Sequence, residues 1–273
     1  ETMPELPEVE MVVRGLRDDM VGRTFLNMRV EWAPQLGDMT PDAFAARLSG
    51  QTVEALWRRG KYVIFELTDD YLIIHLKMTG RLYVAREGEV YDADRFLRVV
   101  FGLDNGYELR FSDVRKFGRL YLVSDVEGVV GKLGPEPLDG DFTLEAFRAR
   151  LGNRTRNIKA LLLDQSFIAG VGNIYADEAL WLAGIAPQRK ADTLTAEEQE
   201  RLYHAVRSVL NEGIAREGSS ISWYRKPDGS AGSYQNFFKV YGREDEPCPR
   251  CGTPVLKLWI AQRGTHYCPH CQT

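Results

Sequence analysis

The chain has 273 residues, 44% of them hydrophobic, and a formal net charge of −4. That length can bury substantial cores and suggests two domains with a small appendage. No apolar run approaches the roughly 18 residues of a membrane span, and the acidic first residues do not read as a secretory signal, so a cytoplasmic protein with no membrane partner is expected.

Beyond Pro7, the residues Val9, Val12, Val13, Leu16 and Met20 recur at helical spacing, with Glu8 and Glu10 in the first turn where the helix dipole favours acids. From about Thr24 to Val123 the pattern changes to short β-branched and aromatic runs: Tyr62 to Leu67, Tyr71 to Leu76, Leu97 to Leu103 and Arg119 to Val123. Turns such as Asp104-Asn105-Gly106 separate them, which predicts an antiparallel sheet or sandwich. Gly134-Pro135-Glu136-Pro137 marks a linker.

Helical patterns follow over Leu144 to Leu151, Ile158 to Leu163, Tyr175 to Leu182 and Thr195 to Arg216, the last opened by a Thr195/Glu198 capping box. Ser219 to Gly242 is rich in Gly, Ser and aromatic residues and reads as an exposed, mobile loop followed by a ribbon. The expected division is a β domain over 1–130, a linker over 131–143, a helical domain over 144–240 and a ribbon over 241–273.

Net acidity argues against nonspecific phosphate binding, but the charge is uneven. Arg148, Arg150, Arg154, Arg156 and Lys159 face the single Glu145 between Leu144 and Lys159, and the tail beyond Ser219 is net positive. Such runs are usually solvated faces; agreement with other motifs is needed to make them a phosphate track.

All four cysteines lie near the end. Cys248-Pro249-Arg250-Cys251 and Cys268-Pro269-His270-Cys271 are two C-x2-C knuckles separated by sixteen residues, the spacing of a four-thiolate zinc ribbon. A ribbon this small has no core without metal, so one structural zinc is expected. Between the knuckles a hairpin projects Gln262 and Arg263, and a rigid arginine tip suits phosphate.

Pro4-Glu5-Leu6-Pro7-Glu8-Val9-Glu10 resembles the N-terminus of formamidopyrimidine-DNA glycosylases. Arg58-Arg59-Gly60-Lys61, His75-Leu76-Lys77-Met78-Thr79-Gly80, Asp113-Val114-Arg115-Lys116-Phe117-Gly118, Leu133-Gly134-Pro135-Glu136-Pro137-Leu138, Gly170-Val171-Gly172-Asn173-Ile174-Tyr175 and the zinc ribbon resemble the same family, in its order. The likeness spans essentially the whole chain. It implies an α+β multidomain fold: an N-terminal antiparallel β-sandwich flanked by a helix, a helix-two-turn-helix domain, and a C-terminal zinc ribbon. It also implies a monomer that acts on damaged double-stranded DNA, in a bacterium at the nucleoid.

The implied reaction is base excision of oxidised purines such as 8-oxoguanine and formamidopyrimidines, followed by β,δ-elimination at the abasic site. By resemblance, Pro4 is the amine nucleophile, Glu5 shuttles protons at the sugar, and Glu8 supports Glu5. Lys61 contacts phosphate and assists β-elimination, while Arg263 serves δ-elimination and phosphate binding. A secondary amine gives a charged iminium with the opened sugar, an electron sink that an interior proline cannot provide.

Met78, Arg115 and Phe117 resemble the triad inserted where the nucleotide was flipped out: Phe117 wedges the stack, Met78 fills the void and Arg115 meets the orphaned base. Facing a base edge, an arginine favours cytosine here. His75, Arg154, Lys159 and Asn173 are carried over as DNA-binding residues, the last at a helix start suited to phosphate. The Ser219 to Tyr234 segment would close over the extruded base.

Two departures stand out. Glu1-Thr2-Met3 precede Pro4, so Met3 is expected to be the true initiator, removed to free the proline; a chain that keeps all three should lack the Schiff base. Arg95-Phe96 stands where many relatives carry a DNA-contacting histidine, and no role is carried over there. The rival readings are an endonuclease VIII-like enzyme for oxidised pyrimidines, against which Leu6, Lys159 and the Arg115-to-Phe117 spacing argue, and a noncatalytic zinc-ribbon DNA-binding protein.

Overall fold

A computed structural model of the chain describes residues 3–273. Glu1 and Thr2, on which the expected processing bears, lie outside the described residues. The chain divides into two compact units: one runs to Lys132 and takes in Glu217–Gly232, and the other comprises Leu133–Arg216 and Ser233–Thr273.

The first unit opens with helix α1 (Leu6–Met20), whose N-cap is Glu5. Its strands are β1 (Phe25–Val30), β2 (Val53–Arg59), β3 (Tyr62–Leu67), β4 (Tyr71–His75), β5 (Gly80–Arg86), β6 (Leu97–Leu103), β7 (Tyr107–Asp113) and β8 (Arg119–Val123), with helix α2 (Pro41–Leu48) between β1 and β2. They form two four-stranded sheets, ordered β1-β6-β7-β5 and β2-β3-β4-β8. Every pairing is antiparallel.

The apolar periodicity of α1 explains its seat. Val9, Val12, Val13, Leu16 and Met20 are all buried in one core with Phe25, Phe65, Phe101 and Phe111 from the strands. Arg58 of β2 secures the helix from its polar side, donating to Glu10 at 3.0 Å. The expected β-sandwich with its flanking helix is present.

A short helix α3 (Glu127–Val130) ends the sheet region, and the second unit follows with α4 (Leu144–Leu151), α5 (Ile158–Leu162), α6 (Asn173–Ala183) and α7 (Ala196–Ala215). Thr195 caps α7 in the expected box. The zinc-ribbon hairpin is β9 (Leu256–Ile260) paired with β10 (Arg263–Tyr267). Among the described residues, no helix is long and apolar enough to cross a membrane.

Ser219 to Gly242 differs from the expected exposed loop. Tyr224, Tyr234 and Val240 are buried, and Tyr224 belongs to the core of the first unit. Tyr224 and Tyr234 are anchors, because each buries far more apolar area than the Gly and Ser around it, while Trp223 stays exposed.

Candidate active site and DNA-binding surfaces

Pro4 and Glu5 are buried at the start of α1. Glu8 reaches back to accept the Glu5 backbone N–H at 2.9 Å, closing a capping box. Its other oxygen accepts the Ser219 N–H at 2.8 Å. Gly218 makes this approach possible: it has φ of +80°, and a Cβ there would lie 3.0 Å from Glu8 Cγ. Glu8 thus holds the catalytic candidate on one side and the 217–232 segment on the other. Tyr224, packed against Gly218, has its hydroxyl pKa pushed up by burial and by the nearby Glu8 carboxylate.

Lys61 lies in the two-residue turn that joins β2 to β3, and only 5% of it is exposed. Arg58 ties this turn to α1, because its Nη1 donates to the Gly60 carbonyl at 3.1 Å while its Nε holds Glu10. Across the ladder, Tyr62 pairs with His75. The His75 ring packs edge-on to Tyr62 with centroids 4.5 Å apart, and its Nδ1 accepts the Lys77 N–H at 3.0 Å. Burial, then the Lys77 and Lys61 charges, lower its pKa to about 3, so the imidazole is neutral.

Two loops carry the wedge candidates. Arg115 donates to the Met78 sulfur at 3.3 Å, and its guanidinium lies 4.7 Å from the Phe117 ring centroid. The structure therefore brings the three residues together, with Phe117 46% exposed. Lys77 and Lys116, one in each loop, have left-handed backbones at φ of 53° and 61°. Such strain persists only where surrounding contacts enforce it.

Asp113 enforces it here. Only 1% exposed, it accepts from Gln35 Nε2 and the Gly118 N–H, each at 2.8 Å, and from the Thr79 hydroxyl. Thr79 in turn accepts the Arg115 N–H at 3.0 Å. A Cβ on Gly118 would sit 2.4 Å from Phe111 Cζ, so the loop fits only without a side chain. Sequence reasoning quoted Asp113 and Thr79 within motifs but gave neither this task.

Next to Thr79 the first unit holds a cavity of about 160 Å³, also lined by Arg81, Arg95, Phe96, Trp223 and Arg225. Burial and the facing Arg225 hold Arg81 below its ordinary pKa. The Phe96 and Trp223 rings meet edge to face at 6.2 Å.

In the second unit the basic run is mostly tied down. Arg156 pairs with Asp164 at 2.6 Å, Arg150 donates to the Phe167 and Ser166 carbonyls, and Arg148 reaches Glu200. Arg154 is exposed and stacks toward Phe167. Lys159, expected on the DNA surface, is instead fully buried and paired with Asp177 at 2.6 Å, because a lone ammonium cannot be buried without a counter-charge. Asn173 opens α6 and donates to the Gly264 carbonyl at 3.0 Å. Glu178, also missed, accepts the N–H groups of Lys239, Val240 and Tyr241.

The sulfurs of Cys248, Cys251, Cys268 and Cys271 lie within 4.8 Å of one another. Zn–S bonds of about 2.3 Å in a tetrahedron require S···S edges of about 3.8 Å, so the four thiols fit a structural zinc. Hydrogen bonds favour the thiolate at two of the four: Trp181 Nε1 donates to Cys248 at 3.3 Å, and the Thr253 hydroxyl and N–H lower the Cys251 pKa to about 6, whereas burial and the neighbouring cysteines push Cys268 and Cys271 up. Beyond the metal, Arg263 begins β10 directly after the turn residues Ala261 and Gln262.

Family profiles match along the chain: the formamidopyrimidine-DNA glycosylase N-terminal domain over residues 3–120, the H2TH domain of the same enzymes over 133–225, and a zinc finger found in FPG and IleRS over 245–273. The chain belongs to the formamidopyrimidine-DNA glycosylase family. A formamidopyrimidine-DNA glycosylase of Herpetosiphon aurantiacus is 48% identical to this family member, covering 99% of the chain and all of the relative. One from Geobacillus kaustophilus is 45% identical, again over 99% of the chain and all of the relative. Among solved structures, a Lactococcus lactis FPG mutant bound to Fapy-dG-containing DNA superposes with a TM-score of 0.91 at 37% identity, covering 99% of this chain and 100% of the other. MutM in complex with carbocyclic 8-oxo-G DNA gives 0.88 at 36% identity, with 99% and 100% covered.

Proposed function

We propose that this family member is a base-excision DNA glycosylase and abasic-site lyase that removes oxidised purines from duplex DNA, using Pro4 as its nucleophile. The observation that carries the reading is the Pro4-Glu5 start: it sits at the N-cap of α1, and Glu8 braces it by bonding both the Glu5 N–H and Ser219 of the 217–232 segment.

The Pro4 amine attacks the sugar C1′ as the damaged base departs with its bonding electrons and a proton, leaving an iminium when the ring opens. Glu5 exchanges the proton at the ring oxygen. Loss of a C2′ proton expels the 3′ phosphate, and loss of a C4′ proton expels the 5′ phosphate, with the cationic nitrogen taking the electrons each time. Lys61 and Arg263 neutralise the phosphates, and His75, Arg154 and Asn173 add contacts. His75, being neutral, contributes a hydrogen bond rather than a charge.

Phe117 fills the stack, Met78 the space left by the extruded nucleotide, and Arg115 pairs with the facing cytosine. The extruded base is read in the cavity beside Thr79, under Ser222 and Trp223. The zinc holds the hairpin that presents Arg263 and takes no part in bond breaking. One monomer in the bacterial cytoplasm serves one lesion.

Strand nicking tests this. Duplexes with one 8-oxoguanine opposite cytosine, one dihydrouracil, or no damage are incubated with the chain beginning at Pro4. The expected order is rapid nicking of the first, slower nicking of the second and none of the third. Tight binding without nicking would leave a DNA-binding protein only.

A further inference from the structure

We infer that the Lys159–Asp177 ion pair is a positioning element that locks the Arg263 hairpin, and that Lys159 never touches DNA. The inference rests on the proposed role of Arg263 at the lesion phosphate.

Both side chains are completely buried, with Lys159 Nζ 2.6 Å from Asp177 Oδ1. Three further bonds of the pair run to one short stretch of β10. Lys159 donates to the Thr265 hydroxyl at 2.7 Å and reaches the Gly264 carbonyl at 3.4 Å. Asp177 Oδ2 accepts the His266 N–H at 2.9 Å. Asn173, one turn earlier on α6, donates to the same Gly264 carbonyl. The Thr265 hydroxyl then donates to the Arg263 carbonyl at 3.0 Å, so an unbroken chain of bonds leads from a buried carboxylate to the backbone of Arg263.

The hairpin needs such a hold. Ala261 and Gln262 form its two-residue turn with φ of 48° and 61°, a left-handed pair normally filled by Asn-Gly or Gly-Gly. Lacking glycine there, the tip is strained and would relax if only its far end were fixed by the cysteines. A buried ion pair is weak evidence for stability, since apolar residues of similar size often replace one without loss. Its use here is geometric: four donors and acceptors fix where residues 263–266 lie.

The test is a double-mutant cycle on affinity for a duplex carrying a tetrahydrofuran abasic analogue, with zinc content and melting temperature measured on each protein. Thr265→Val removes the hydroxyl link while keeping the shape. It should weaken binding about fivefold in the parent and less than about 1.5-fold when Arg263→Ala is already present. A Lys159→Met/Asp177→Leu variant should retain one zinc and form Schiff base, yet yield about tenfold less δ- than β-elimination product relative to the parent. Equal losses from Thr265→Val in both backgrounds, or no loss in either with zinc retained, would overturn the inference. If Arg263→Ala alone binds like the parent, the Arg263 assignment fails and takes the inference with it. Loss of Schiff-base trapping in the parent would instead strike the reading of Pro4.

Discussion

Arg58 Nε lies 3.0 Å from Glu10 Oε2, and the same guanidinium donates to the Gly60 carbonyl at 3.1 Å. One side chain therefore fixes the helix that follows Pro4 and Glu5 and the turn that carries Lys61. In Arg58→Met the helix stays seated on its apolar face and the largely buried pair is lost. A stability loss of about 1–2 kcal/mol is expected. The lesion-nicking kcat should fall by more than that loss explains, about tenfold, because both catalytic candidates lose their registration. Urea melts and single-turnover kinetics check both numbers; a stability loss with unchanged kcat would make Arg58 a packing residue alone.

Phe117 is exposed in the free protein and costs little to remove. Phe117→Ala should leave the melting temperature within a degree or two, while nicking of an 8-oxoguanine duplex slows by roughly 30-fold, about 2 kcal/mol of the cost of unstacking. On an 8-oxoguanine already opposite a gap the effect should shrink. Asp113, holding both wedge loops, behaves oppositely: Asp113→Ala should cost about 3 kcal/mol of stability, since three buried donors lose their acceptor.

That contrast shows how much was legible in the sequence. Strand and helix identities followed from short-range periodicity, and β3, β6, β8 and α4 have the expected bounds. The zinc knuckles were legible as a local motif, whereas Met78, Arg115 and Phe117 were named by resemblance alone, and the fold brings them together across 37 residues of chain. The Asp113 hub joins residues 35, 79 and 118, and nothing local marks it. Lys159 was misplaced on the surface for the same reason: its partners are Asp177, a turn and a helix away, and Thr265, over a hundred residues on. Arg150 and Arg156, part of a basic run that reads by default as a solvated face, are held by nearby carbonyls and Asp164.

His75 sets an acid limit on folding. Its ordinary pKa of 6.5 falls to about 3 in the fold. Above pH 6.5 the group is neutral in both states. As the pH drops below 6.5, the unfolded chain takes up a proton that the buried site refuses until about pH 3. Stability from this residue is thus lost by up to about 1.4 kcal/mol per pH unit through that window. His75→Asn, whose Oδ1 takes the place of Nδ1 as acceptor for the Lys77 N–H, should flatten the stability profile between pH 6.5 and 4 in denaturant titrations; an unchanged slope would place the acid sensitivity elsewhere.

Removing zinc should release the hairpin. Two strands alone are marginal in water, and the four thiolates repel one another without a cation. A chelator strong enough to strip the metal should abolish specific binding to a lesion duplex, and one equivalent of zinc should restore it. The sheets of the first unit, with their own core, should keep their near-ultraviolet circular dichroism.

A bond from the Pro4 nitrogen to deoxyribose is what the proposed reaction requires, and borohydride reduction reports it directly. The chain beginning at Pro4 is mixed with an 8-oxoguanine:cytosine duplex and reductant, and peptide mapping then locates any adduct. A stable protein–DNA species with the sugar carbon on the Pro4 nitrogen is predicted, and it should disappear when residues precede Pro4. An adduct on a lysine, or equal trapping with and without those residues, would contradict it.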